Sequence, residues 1–171
     1  MASLMNELVD VLNAERECYQ SLIGIAEEKT PIIIEGNIDE LQKITEKEQP
    51  VIGDLQKLEK QRIRVMDDAA EVLGRERGSL KLTDLVEMFS NQPEEKKKLA
   101  TIYDQLMFTL KDMDIINKRN QMLLEQALEM VEFDIQLHQN LKRAPENANY
   151  GKDAYSVADK RSGSASFDAK Q

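Results

Sequence analysis

Three long stretches of this chain place apolar residues at alternating steps of three and four, which lines them along one face of an α-helix. In the first, the stripe is Leu4, Leu8, Val11, Cys18, Leu22, Ile25 and Ile32, with Glu15 and Lys29 as gaps. In the second it is Leu41, Ile44, Val51, Leu55, Leu58, Val65, Ala69 and Val72. The third runs from about Glu94 to Lys142. A half-buried strand alternates with a period of two, so stripes this long and this regular point to helices that pack one face each. Composition agrees. Charged residues make up 32% of the 171 positions and aromatics 5%, with no Trp, a balance suited to long helices rather than to a β-sandwich or an α/β enzyme.

Boundary signals divide the stripes. Gly36 suits a helix C-cap, and Asn37 with Glu40 three residues on resembles a capping box. So short a connection makes the first two helices an antiparallel hairpin. Pro31 removes a backbone donor and is expected to kink the first helix or end it; Pro50 is expected to kink the second, which stops at Gly74. Between Arg75 and Pro93 a small amphipathic piece, Leu82, Leu85, Val86 and Phe89, reads as a short helix in the crossover, with Thr83 as its N-cap. Pro93, followed by Glu94 and Glu95, starts the third long helix. That helix exceeds its partners, so part of it must overhang the hairpin or pack on something else.

The expected fold is therefore all-α: an elongated, coiled-coil-like antiparallel bundle of three long helices with a short crossover helix, over residues 1–142. Residues 143–171 are polar, rich in Ala, Ser and Gly and without periodicity, and read as a disordered C-terminal tail.

Several chemistries lack their residues. The single histidine, His138, has Ile135 three positions before it, so the Glu-x-x-His pair of a di-metal carboxylate bundle is missing. One Cys and one His do not make a zinc site, and the seven glycines are too scattered for a phosphate loop. No catalytic, cofactor-binding or metal-binding residue is expected. Cys18 sits in a stripe and reads as a small core hydrophobe. With one cysteine no internal disulfide can form, and the N-terminal stretch has neither a basic region nor an unbroken apolar core of a signal peptide. A net charge of −9 disfavours nucleic acid and anionic membrane surfaces as partners, and no apolar run is long enough for membrane insertion. These features read as a cytoplasmic protein.

Two amides interrupt the third stripe. Asn117 and Asn120 continue the spacing of Leu106, Leu110 and Met113, which resumes at Leu124, Leu128 and Val131. A polar residue in a helical seam costs stability but fixes register, because its partner must also be polar. Both are expected to set the register of the third helix, and Asn120→Leu to raise thermal stability. Beyond them the helix carries two adjacent apolar stripes. One is Leu124, Leu128, Val131 and Ile135; the other is Leu123, Ala127, Met130, Leu137 and Leu141, interrupted by Asp134 and flanked by Met122 and Phe133. A hairpin bundle needs one stripe, so the second implies an additional surface, either a partner protein or a homodimer seam. The tail adds Tyr150, Tyr155 and Phe167, aromatics of the kind that anchor coupled folding and binding.

The segments "LVDVLNAERECYQSLIGIAEEK", "IIIEGNIDELQKITEKEQPVIGDLQKLEKQR" and "NKRNQMLLEQALEMVEF" together resemble the FlgN family of flagellar type III export chaperones, over most of residues 5 to 142. The resemblance lies in the turn, where an acidic residue and Gly precede the second helix, in the acidic "EKEQ" patch that follows this turn, and in the asparagine pair ahead of "LLEQAL". It implies a cytosolic chaperone without catalysis or cofactor, which keeps hook–filament junction proteins from assembling early by binding their helical terminal segments. It then hands them to the export gate. On that resemblance Leu123, Ala127, Met130, Phe133, Leu137 and Leu141 are candidate client-binding residues, and Tyr150 or Tyr155 the candidate export-gate contact. The alternative is a homo-oligomeric coiled-coil scaffold whose extra stripe is its own interface.

Overall fold

The computed structural model describes residues 2–143. Four helices follow in order: α1 over Ala2–Glu35, α2 over Ile38–Val72, the short α3 over Leu82–Met88 with a single 3-10 turn at Phe89–Asn91, and α4 over Pro93–Arg143. No strand occurs among the described residues. The chain divides into two compact units, Met1–Glu125 and Gln126–Gln171. The first holds α1, α2, α3 and most of α4; the described part of the second is the C-terminal portion of α4. The tail read from the sequence lies, from residue 144 onward, outside the described residues.

The α1–α2 turn is built as the residues predict. Gly36 takes φ +69°, a conformation that costs glycine nothing. Its N–H reaches the Ile33 carbonyl at 3.1 Å and that of Asn37 reaches Ile32 at 3.3 Å, the paired bonds of a Schellman cap. Asn37 then opens α2, its side chain accepting the Glu40 N–H at 3.1 Å. The return arm of the expected capping box is replaced, since the Glu40 carboxylate binds Lys43 at 2.7 Å and the Asn37 N–H is spent on α1. At the far end of α2, Gly74 (φ +67°) repeats the cap, with Arg75 N–H on the Ala70 carbonyl at 2.8 Å.

α1 does not end at Pro31. It continues to Glu35, carried by the burial of Ile33 beyond the proline. α2 likewise runs through Pro50, which is exposed. A proline inside a helix costs about 3 kcal/mol, and tertiary packing of a long amphipathic face offsets that amount. The N-cap of α3 also differs from expectation. Thr83 lies inside the helix; Lys81 is the cap residue, and Asp84 Oδ2 accepts its backbone N–H at 3.0 Å. A carboxylate three residues into the helix reaches back more readily than a hydroxyl two residues too late.

The main core lies where the N-terminal half of α1, the C-terminal part of α2, the crossover and the first turns of α4 meet. Leu8, Leu12, Val65, Leu85 and Leu99 are fully buried there. Burial of each leucine contributes about 2 kcal/mol. Ala69 and Ala70 keep α2 thin at this level, and Leu80, Leu85 and Phe89 of the crossover close over it. A helix as short as α3 has no stability of its own, so these contacts hold it.

Both gaps in the first stripe are filled by ion pairs to α2. Glu15 receives Arg62 Nε at 3.0 Å, and Lys29 binds Glu48 at 2.7 Å. The two pairs share one centre next to the Gly36–Asn37 turn, with acid and base exchanged between helices, so a slipped hairpin would lose both.

Candidate functional site

α4 joins the first unit as a parallel neighbour of α1. Arg16 Nη1 meets Gln105 Oε1 at 3.0 Å, 89 residues apart, and Thr30 meets Asn120, 90 residues apart. The near-constant offset shows two helices running side by side in one register. The face that α4 turns inward is Leu99, Ile102, Leu106, Thr109, Ile116 and Asn120, with Met113 half-buried between them.

The two asparagines are separated by this geometry. Asn120 is buried; its Nδ2 donates to the Ala26 carbonyl at 2.8 Å, and its Oδ1 accepts the Thr30 hydroxyl at 2.6 Å. Asn117 is exposed, because the seam steps from Met113 to Ile116 and then Asn120, rather than through Asn117. Of the pair from which a register role is expected, Asn120 lies in the interface and Asn117 on the surface. Pro31 lies in the same stretch of α1. Its missing N–H leaves the neighbouring Glu27 carbonyl without a helical donor, while the Ala26 carbonyl accepts side-chain bonds from both Thr30 Oγ1 at 3.1 Å and Asn120 Nδ2 at 2.8 Å.

The candidate client-binding residues fall in two places. Leu123, in the first unit, is half-buried. The other five lie in the second. Ala127 is half-buried, while Met130 (69%), Phe133 (63%), Leu137 (46%) and Leu141 (60%) are exposed. From Leu128 to Arg143 every side chain faces solvent. The neighbouring stripe is open too, since Leu128, Val131 and Ile135 are more than half exposed. The apolar face is thus wider than the six residues taken from the sequence, which left Val131 and Ile135 aside although their spacing was plain. An exposed apolar face of this width is unusual on a folded chain. Methionine at 130 makes it adaptable in shape. The candidate gate contacts, Tyr150 and Tyr155, lie outside the described residues.

Little here favours covalent chemistry. Burial pushes the Cys18 thiol up from its ordinary value, and the charges of Asp54, Glu17 and Glu15 push it further, the opposite of what a nucleophilic thiolate needs. Glu15 is held above the ordinary carboxylate range by burial, with Arg62 pulling the other way. Its geometry is that of an interhelical ion pair. No group of three or more His, Cys, Asp or Glu side chains that could hold a metal occurs among the described residues, and none of their helices is long and apolar enough to cross a membrane.

The family model for the FlgN protein matches residues 1–156, nearly the whole chain. The chain belongs to the FlgN family. No curated protein and no solved structure matches it. FlgN membership makes it a flagellar export chaperone, in a family of chaperones rather than enzymes. The all-helical fold fits a family of chaperones.

Proposed function

We propose that this FlgN protein acts in the cytoplasm on the hook–filament junction proteins, binding their helical terminal segments and keeping them from assembling before export. The observation that carries the reading is the exposed apolar face over Ala127, Met130, Phe133, Leu137 and Leu141, widened by Val131 and Ile135. A protein that polymerises through amphipathic terminal helices stays soluble only while its apolar stripe is covered, and a helix with a matching stripe covers it by side-by-side packing. Leu123, the sixth candidate, is half-buried in the first unit. Delivery to the export gate, with Tyr150 or Tyr155 as the contact, follows from family resemblance. The net charge of −9 argues against nucleic acid as the partner.

The test is calorimetric titration of the full chain with purified terminal helices of the junction proteins from the same organism. The same titration on a chain ending at Lys142 assigns any contribution of the tail. One-to-one binding that Leu137→Glu abolishes supports the proposal. A well-folded chain that binds no terminal helix and sediments as a stable homodimer supports the scaffold instead.

A further inference from the structure

A polar residue interrupts the exposed face at a place where the seam of α4 should be apolar. Counted along the sequence in steps of three and four from Asn120, the seam passes Leu123, Ala127 and Met130, reaches Asp134, and ends with Leu137 and Leu141. Asp134 stands two heptads after Asn120 and, unlike Asn120, is exposed. Asn120 shows how this helix meets such a position: its amide is buried against a carbonyl and a hydroxyl of the neighbouring helix, so the polar residue selects the partner's groups. A carboxylate in the same register demands more. Once a partner covers the face, Asp134 loses water, and an unpaired buried charge is strongly unfavourable.

We infer that Asp134 is a specificity residue of this face, which selects amphipathic helices carrying an Arg or Lys within their own apolar stripe. The inference rests on the reading that the C-terminal part of α4 docks such helices. The charge around the position supports the sign. Between Asn120 and Leu137 the helix carries Glu125, Glu129, Glu132 and Asp134 and no Lys or Arg, so nothing on that stretch neutralises the carboxylate from within. The donor must come from the partner, and a guanidinium or ammonium supplies it with a charge-assisted hydrogen bond. A partner with leucine there strands the carboxylate, and one with glutamate adds repulsion, which discriminates between otherwise similar helices.

The test uses the full chain and three synthetic amphipathic helical peptides, identical except for Arg, Leu or Glu at one central seam position. Dissociation constants come from calorimetry. The Arg peptide should bind at least about tenfold more tightly than the Glu peptide, with Leu between them. Asp134→Arg, at an exposed site that leaves folding intact, should reverse the order of the Arg and Glu peptides. Equal binding of all three, or an unchanged order in Asp134→Arg, overturns the inference and leaves the docking face standing. Failure of all three to bind, or binding that survives Leu137→Glu, overturns the docking reading and the inference with it.

Discussion

The side-chain amide of Asn120 in α4 donates to the backbone carbonyl of Ala26 in α1 across 2.8 Å. A polar seam residue is thereby matched to a backbone acceptor of the neighbouring helix. Asn120 also accepts the Thr30 hydroxyl, so both ends of its amide are used.

Those bonds change the sign expected for Asn120→Leu. On the sequence alone, leucine in a seam position should stabilise. With the structure known, leucine would remove both amide bonds, leaving the Thr30 hydroxyl only the Ala26 carbonyl at 3.1 Å and that carbonyl without the Asn120 donor. We expect a loss of about 1 kcal/mol, read as a lower midpoint in chemical unfolding. A midpoint above that of the parent would mean that the amide bonds contribute less than the apolar contact they displace.

Arg62→Ala should cost more, about 3 kcal/mol, because it leaves the Glu15 carboxylate unpaired in the interface between α1 and α2. The side chain of Glu15 is 5% exposed and that of Arg62 33%, so the loss is felt on the acid. Urea unfolding of the two proteins side by side measures it, and a difference below the scatter of the method would reduce the pair to a surface contact.

Glu15→Gln tests the same pair through pH. Burial holds the Glu15 carboxyl above its ordinary value of 4.5, and Glu59 adds to the rise, while Arg62 opposes both. An acid whose value is raised binds its proton more tightly folded than unfolded. Its contribution to stability is therefore fully present below 4.5 and declines as pH rises through the raised value. Glutamine keeps an acceptor for Arg62 without the charge, so the variant should lose that part of the decline. Thermal midpoints of both proteins across this range should diverge as pH rises, and parallel curves would contradict the assignment.

Leu99 and Leu137 separate folding from binding. Leu99 is fully buried in the core, and Leu99→Ala should cost about 3 kcal/mol in unfolding experiments. Leu137 is exposed, and Leu137→Ala should change stability by less than about 0.5 kcal/mol while weakening capture of a terminal helix several-fold. Comparable destabilisation by the two substitutions would show that the face of the second unit is needed for folding.

Much of this architecture was legible in the residues. The Gly36–Asn37 turn, the crossover helix and the start of α4 at Pro93 each rest on a local signal, a glycine free to adopt positive φ, a short amphipathic run, or a proline followed by acids. The N-cap of α3 was misplaced because Thr83 and Asp84 both offer oxygen near a helix start, and only the chain path shows which one reaches Lys81. Glu15 and Lys29 were legible as gaps, yet their partners Arg62 and Glu48 lie across the hairpin, beyond the reach of any pattern within one helix.

The steps of three and four already required long amphipathic helices, since periodicity and capping are local properties of a chain. They also showed that α4 carries more apolar surface than a hairpin needs. Which surface is covered was not local. Placing α1 beside α4 brought Ile116 and Asn120 inward and left Asn117 in water, although a helical repeat passes close to all three. Past Ala127 the stripes continue unchanged in the residues while the described side chains stand in solvent. Burial is a relation between two surfaces, so a pattern on one helix names the face that is able to pack, and only the tertiary structure decides which of its residues are covered.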